Sequence, residues 1–535
     1  MVPRTEMDFT PNGKGMKLRI HVNEGPVYTV SDMQVAGNVV FDNDEVVALV
    51  ETLPGEIHNK GQVSADAGLV QQGYQDSGYV NARVIPQVVL DREAKTTAVV
   101  HRIDEGDLKY LREVTVTGNE TTKDEILRRD ITLIPGERYD GAELEATRRN
   151  LENTRFFDKV RLSLEDDPDN DLFTNLLVDV DEGKTGTWNF GAGFNSETGI
   201  GGFTEVRLNN FDIGNWRTFS GAGQQLRARI AIGTQEDAYS LSFTEPEFLG
   251  YPFSFGFDLY SENREYRGGT NYTQDITGGQ LRIGKILSPY LSTRGGISVE
   301  NTRLEDFVEY ERLAHPDLRE QEGSTLTISG NWSIERNTLD RFMDPTKGSR
   351  HTLSTQLAGF GGDNYFWKAE QDSLWYWPLS ENRKWILSYQ GRVAFVTPYG
   401  PSDNVPIQDR LYVGGTNTVR GYEQRDIGPQ EREYQFLGFK FGDKFRQGGN
   451  FRVISNLEVK YKVTDIFRVY GFWDAGGVWE YFKDMEPDDL KHGVGIGIGF
   501  DVPRFGPVRL DYGFPINPDG DQGSGQLHFS SGFRF

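Results

Sequence analysis

One arginine in this chain is set up for charge chemistry. It lies in Gly414-Gly415-Thr416-Asn417-Thr418-Val419-Arg420-Gly421-Tyr422. A guanidinium stays charged when partly buried and can grip a carboxylate through two parallel hydrogen bonds. The flanking Gly414, Gly415 and Gly421 let a backbone bend and approach another surface closely. The segment sits inside an irregular stretch, about 398–450, which is longer than ordinary loops in compact domains and so reads as a functional loop. The local pattern also fits a solvated turn.

Other chemistries find no support. With no cysteine, disulfides, thiolate metal sites and cysteine nucleophiles are excluded. His21, His58, His101, His315, His351, His492 and His528 show no metal-ligand spacing, and no G-x-x-x-x-G-K-[ST] phosphate loop occurs. No metal, no cofactor and no catalytic constellation are expected, so the chain does not read as an enzyme. The acidic runs Glu165-Asp166-Asp167 and Glu486-Pro487-Asp488-Asp489 fit solvated turns, with calcium at extracellular loops as the alternative. Lys+Arg number 57 against 80 Asp+Glu, a net charge of -23 that argues against nucleic-acid partners.

The elements around the loop come in two kinds. In the first third, two units share the order strand, helix, helix, strand, strand. The first, at 26–106, has a strand ending at Gly37-Asn38 and a short helix capped by Asp42 or Asn43. Pro54-Gly55 follows, then a helix at about 62–77 and strands at 82–90 and 97–103. The second, at 107–183, has a strand ending at Gly118-Asn119 and a helix at 123–129. There Thr122 and Glu125 form a capping-box pattern. Pro135-Gly136 leads to a helix at 140–153, and strands at 159–164 and 173–180 close the unit. Both units end in Asp-Glu-Gly, and the period is roughly 75–80 residues, an α+β repeat. Residues 16–25 read as a single strand closing on Glu24-Gly25. That predicts residues 1–25 to be the remnant of a truncated preceding unit. The start has neither a basic segment nor an apolar core, so an exported protein of this sequence would be a mature or shortened form. Such repeats serve either as spacers or as sheet edges that accept an extended segment.

From 184 to 535 no helix pattern survives. Segments of about ten residues alternate apolar with glycine or charge, as in Val494, Ile496, Ile498 and Phe500 against Gly495, Gly497, Gly499 and Asp501. A closed antiparallel barrel with lipid outside and water inside accounts for both faces and leaves no edge. Sixteen strands are expected, starting near 188, 202, 220, 238, 253, 275, 291, 325, 351, 366, 385, 451, 468, 492, 508 and 526.

In these parts the chain resembles the BamA family of outer-membrane protein assembly factors, over essentially its whole length. The repeats resemble POTRA domains. Val419-Arg420-Gly421-Tyr422 with Ile427-Gly428-Pro429 resembles that family's loop-six motif, VRG(F/Y). Phe472-Trp473-Asp474-Ala475-Gly476-Gly477-Val478-Trp479 resembles its FWDxGxVW strand. Phe243-Thr244-Glu245-Pro246 and Asp344-Pro345-Thr346-Lys347-Gly348-Ser349-Arg350 sit where similar motifs are expected. The final strand resembles the family's β-signal but carries Ser530 where glycine is commonest. The resemblance implies that the loop folds into the lumen and that Arg420 pairs with an inward carboxylate, Asp474 first and Glu458 second. It also implies a lateral gate between the first strand (Trp188, Phe190) and the last (Phe529, Phe533, Phe535). Unfolded barrel clients, accessory outer-membrane lipoproteins and the lipid bilayer are the implied partners. Localisation would be the bacterial outer membrane, with the POTRA domains in the periplasm. A two-partner (TpsB-type) transporter and a TamA-type factor share much of this layout. The stray strand at 16–25, and the absence of a plug helix and linker, speak against the transporter.

Overall fold

The computed structural model describes residues 4–9, 16–21, 25–195, 199–266, 271–307, 320–341, 344–429, 434–436, 439–441, 446–502, 506–518 and 525–531. It divides into two compact units, Met1–Lys184 and Thr185–Phe535.

The first unit opens with a hairpin of β1 (Arg4–Phe9) and β2 (Met16–His21), in which Arg4 lies opposite His21 and Phe9 opposite Met16. The strand expected at 16–25 therefore has an antiparallel partner. Met7 and Phe9 alternate with Glu6 and Asp8, a pattern too short to stand out by itself.

Two repeats follow. The first is β3 (Thr29–Ala36), α1 (Asn43–Val47), α2 (Lys60–Asp76), β4 (Arg83–Asp91) and β5 (Thr96–Asp104). The second is β6 (Tyr110–Thr117), α3 (Asp124–Asp130), α4 (Gly141–Thr154), β7 (Phe157–Asp166) and β8 (Phe173–Glu182). Each sheet puts its last strand in the centre, in the orders β3-β5-β4 and β6-β8-β7. The opening strand pairs parallel and the hairpin mate antiparallel. Val63, Ala67, Val70 and Tyr74 recur on one face of α2 and are buried. Leu111, Leu127, Leu151 and Val178 fill the second core. Side-chain caps start the long helices. Asn59 accepts from the backbone N–H of Gly61 and Gln62, and Asp140 from Ala142 and Glu143. The capping box expected at Thr122 does not form. Helix α3 begins one residue later, and Thr122 instead donates its backbone N–H to Glu182 at 2.6 Å.

That bond explains the punctuation shared by the repeats. Gly37 and Gly118 have φ of 93° and 86°, and a Cβ there would lie 2.2 Å from the Ile103 carbonyl oxygen and 2.0 Å from that of Val180. Only glycine lets the chain turn this close to the central strand. The glutamate ending that strand then collects the donors of the turn. Glu105 accepts from Val39 and Val40 at 2.7 and 2.9 Å, and Glu182 from Thr121 and Thr122. Burial opposes ionisation of both carboxyls, but the hydrogen bonds they accept outweigh it and hold them below the usual glutamate range.

The second unit is a closed barrel. Its strands begin with β9 (Gly186–Asn195), β10 (Gly199–Phe211), β11 (Gln224–Gly233), β12 (Glu236–Glu245), β13 (Ser254–Tyr266), β14 (Tyr272–Ser288), β15 (Leu291–Glu305) and β16 (Gly323–Asn337). They continue with β17 (Gly348–Gly362), β18 (Phe366–Pro378) and β19 (Trp385–Pro398). The long loop carries a small hairpin, β20 (Tyr434–Phe436) with β21 (Phe439–Phe441). The wall resumes with β22 (Phe451–Lys462), β23 (Phe467–Trp479), β24 (Lys491–Val502), β25 (Gly506–Pro515) and β26 (Gln526–Ser531). Without the loop hairpin, sixteen antiparallel strands make the wall, each starting within four residues of its expected position. Alternation sorts the faces. Leu281, Ile297, Trp332 and Ile496 are exposed on the outside, as a lipid-facing wall requires. Inside, Glu205 pairs with Arg227 and Asp258 with Arg282, each at 2.7 Å. No helix among the described residues is long and apolar enough to cross a membrane.

Candidate functional site: the inward loop, its wall and the seam

The wall is not polar throughout its inner face. Ala394 and Val396 on β19, Ile454 on β22 and Val478 on β23 are apolar and buried. Val405, Leu411, Val413, Val419, Tyr422 and Ile427 of the long loop pack in the same cluster. The loop therefore lies inside the barrel, held by burial of its own apolar side chains.

Its arginine sits at the end of this cluster. Arg420 is 3% exposed and Asp474 fully buried. Arg420 Nε donates to Asp474 Oδ2 at 2.6 Å and Nη2 to Oδ1 at 2.8 Å, and the backbone N–H of Arg420 adds a third bond at 3.1 Å. Nη1 donates to Glu458 Oε1 at 2.7 Å. Both expected wall carboxylates thus meet the loop arginine. The guanidinium also stacks over Phe472, 3.5 Å from the ring centre.

Sequence reasoning missed the rest of this assembly. Arg509 on β25 binds Glu458 at 2.9 Å, Lys460 binds it at 3.0 Å, and Asp511 lies 3.6 Å from both Arg420 and Arg509. Asn456 joins the Thr418 carbonyl to Asp474, at 2.6 and 2.8 Å. Three cations and three carboxylates balance, which is the condition for burying so many charges together. The wall is also carved to admit the loop. A Cβ on Gly493 of β24 would lie 1.9 Å from the Arg420 carbonyl oxygen, and one on Gly513 of β25 would lie 2.6 Å from the Gly421 nitrogen. Gly421 has φ of 95°, and its own Cβ would strike the backbone of Phe514 at 2.9 Å. Gly414 has φ of 114° and sits 2.4 Å, by the same measure, from the Glu423 carbonyl, while Gly415 donates its N–H to the Val419 carbonyl at 3.2 Å. Tyr422 donates its hydroxyl to the His492 carbonyl at 3.3 Å.

The barrel closes where β26 meets β9. Among the described residues Ser530 lies opposite Asn195, joining β26 to β9. Ser531 Oγ supplements it, accepting from Phe194 N–H at 3.0 Å. Phe529 packs on Phe194 with ring centres 5.5 Å apart. Trp188 and Phe190 are 74% and 80% exposed on β9, and Trp188 donates to Thr204 on β10, away from β26. Phe533 and Phe535 lie outside the described residues. The Asp344 motif makes a cross-brace between turns of the wall. Asp344, between β16 and β17, reaches Lys462 on β22 and Arg468 on β23.

Paired α+β repeats joined to a sixteen-stranded barrel, with a charge-clamped loop in the lumen, define a class of repeat-bearing outer-membrane barrels. A model of the Omp85 superfamily domain matches residues 218–535. A POTRA model, described as surface antigen variable number repeat, matches 28–106 and 109–183. The chain belongs to the Omp85 superfamily. It is similar to the outer membrane protein assembly factor BamA of Nitratidesulfovibrio vulgaris, 27% identical over 551 residues. That alignment takes in 100% of this chain and 65% of the relative, so the chain spans just under two thirds of the relative's length. In fold it is similar to BamA from Haemophilus ducreyi lacking POTRA domains 1-3, with a TM-score of 0.76, 24% identity and 94% and 99% coverage of the two chains. CdiB from Acinetobacter baumannii shares the fold at a TM-score of 0.52, with 14% identity and 95% and 90% coverage.

Proposed function

We propose that the chain folds and inserts β-barrel proteins into the outer membrane; its N. vulgaris relative is named an outer membrane protein assembly factor. The observation that carries the reading is the seam. A barrel normally closes every edge, since an open edge invites pairing with another chain. Here the wall closes between its first strand, β9, and its last, β26, with Ser530 opposite Asn195 among the described residues. We read that join as the edge that parts sideways and templates an incoming strand. Pairing and burial of the client in lipid would drive the process, so no nucleotide is required. The POTRA repeats, at 26–106 and 107–183, would receive unfolded clients in the periplasm. We read residues 1–25 as the remnant of a preceding repeat, because β1 and β2 pair antiparallel as β4 and β5 do. Accessory outer-membrane lipoproteins are expected on the repeats, and no catalysis is.

Purified protein in liposomes should accelerate the folding of an unfolded barrel client over empty liposomes, read by protease protection and heat-modifiable mobility. Unchanged client folding, with ion conductance and passage of a single secreted partner, would overturn this reading in favour of a two-partner transporter.

A further inference from the structure

We infer that His528 is a positioning residue through which the inward loop holds the last barrel strand, β26, at the seam. Its consequence for client assembly rests on the insertase reading, whereas the hold itself does not.

Leu527 is 58% exposed on the outside, while His528 points inward and is 5% exposed. Both of its ring nitrogens are taken by the loop. Nε2 lies 3.0 Å from the backbone nitrogen of Gly421, and Nδ1 lies 3.2 Å from Thr416 Oγ1. A backbone N–H only donates, so Nε2 must be the acceptor and free of a proton. The ring proton then sits on Nδ1 and is donated to the Thr416 hydroxyl. The two loop contacts are five residues apart, so the loop segment straddles the imidazole.

The same segment is fixed at its other side. Gly421 directly follows Arg420, which is locked to Asp474 on β23 and Glu458 on β22. Tyr422 binds the His492 carbonyl on β24, and Gly421 lies against Gly513 on β25. The loop is therefore a strap along the inside of β22–β25, and His528 is where β26 is tied to it. This matters because β26 is one side of the seam, where Ser530 lies opposite Asn195 of β9. With the strap fastened, β26 stays with the β25 side when the seam parts, and β9 is the strand that leaves it. Asp511 on β25, Asp474 on β23 and Arg420 in the loop are the charged groups facing the ring.

The test is amide hydrogen exchange of the full chain in lipid nanodiscs, for wild type, His528→Leu and His528→Gln. Leucine keeps the bulk and loses both bonds. Glutamine offers one acceptor and one donor. The expected result for H528L is about tenfold faster exchange at Gly421 and along β26, the size of one lost hydrogen bond. Protection of β22 and β23 and heat-modifiable mobility should stay at wild-type levels, and H528Q should restore the slow exchange. Client insertion should slow in H528L and recover in H528Q. Wild-type exchange at Gly421 and β26 in H528L would overturn the inference. So would a loss spread evenly over β22–β25, or no recovery in H528Q. The exchange needs no client. If the wild type inserts nothing while H528L still frees β26, the insertase reading fails and the strap stands.

Discussion

Arg420 and Asp474 meet as a two-pronged pair between a loop and the wall that surrounds it, with Nε–Oδ2 at 2.6 Å and Nη2–Oδ1 at 2.8 Å. The geometry suits arginine specifically, since lysine offers a point charge and no planar fork. Arg420→Ala would leave Asp474 buried with Asn456 as its remaining side-chain donor among the bonds described, while Glu458 keeps Lys460 and Arg509. Breaking a buried pair from one side costs about 3–5 kcal/mol. The temperature at which the barrel loses its compact gel mobility should fall clearly in R420A and by less in R420K. Wild-type mobility and client assembly in R420A would contradict the account.

Gly493→Ala is expected to damage the loop site, because the new Cβ would meet the Arg420 carbonyl oxygen at 1.9 Å. Gly471→Ala is the control. It lies on β23, and its nearest neighbour would be 3.9 Å away. Protease accessibility of the loop should rise in G493A and remain at the wild-type level in G471A. Equal behaviour of the two would mean that the wall is not shaped for the loop.

His101, at the centre of the first POTRA sheet, makes a prediction about pH. It is fully buried, and neither ring nitrogen has a hydrogen-bond partner. Burial pushes its pKa down, with Asp66 acting in the opposite direction. The folded pKa is therefore below the unfolded value of about 6.5. The unfolded chain then binds more protons in the interval between them, so stability is full above about pH 6.5 and declines as pH falls through that interval. His101→Leu should remove this part of the acid sensitivity. The check is hydrogen exchange of β5 amides at neutral and mildly acid pH, where wild type loses protection and H101L loses less.

The barrel was legible because alternation is nearly all that a membrane strand needs, and each wall strand carries it within its own ten or so residues. The loop motif and its two carboxylates were legible through resemblance. The physical reason they meet lies elsewhere, in an apolar patch inside an otherwise polar lumen. Ala394, Val396, Ile454 and Val478 break the polar-inward rule, and that break is a signal readable in the sequence. His528, Arg509 and Asp511 left no such trace. Each reads as an ordinary inward polar residue until strand register places it beside Arg420. The capping of α3 was misjudged for a related reason, since Glu182, sixty residues downstream of Thr122, accepts the Thr122 backbone N–H that the local pattern assigned to the Glu125 side chain.

The most direct measurement of the central claim is a reversible lock on the seam. The chain has no native cysteine, so Phe194→Cys with Ser531→Cys places a single disulfide across β9 and β26, where the Phe194 N–H now meets Ser531 Oγ. In liposomes the oxidised protein should leave client folding at the empty-liposome rate, and reduction should restore acceleration. Full acceleration with the disulfide intact would show that clients do not pass through this seam.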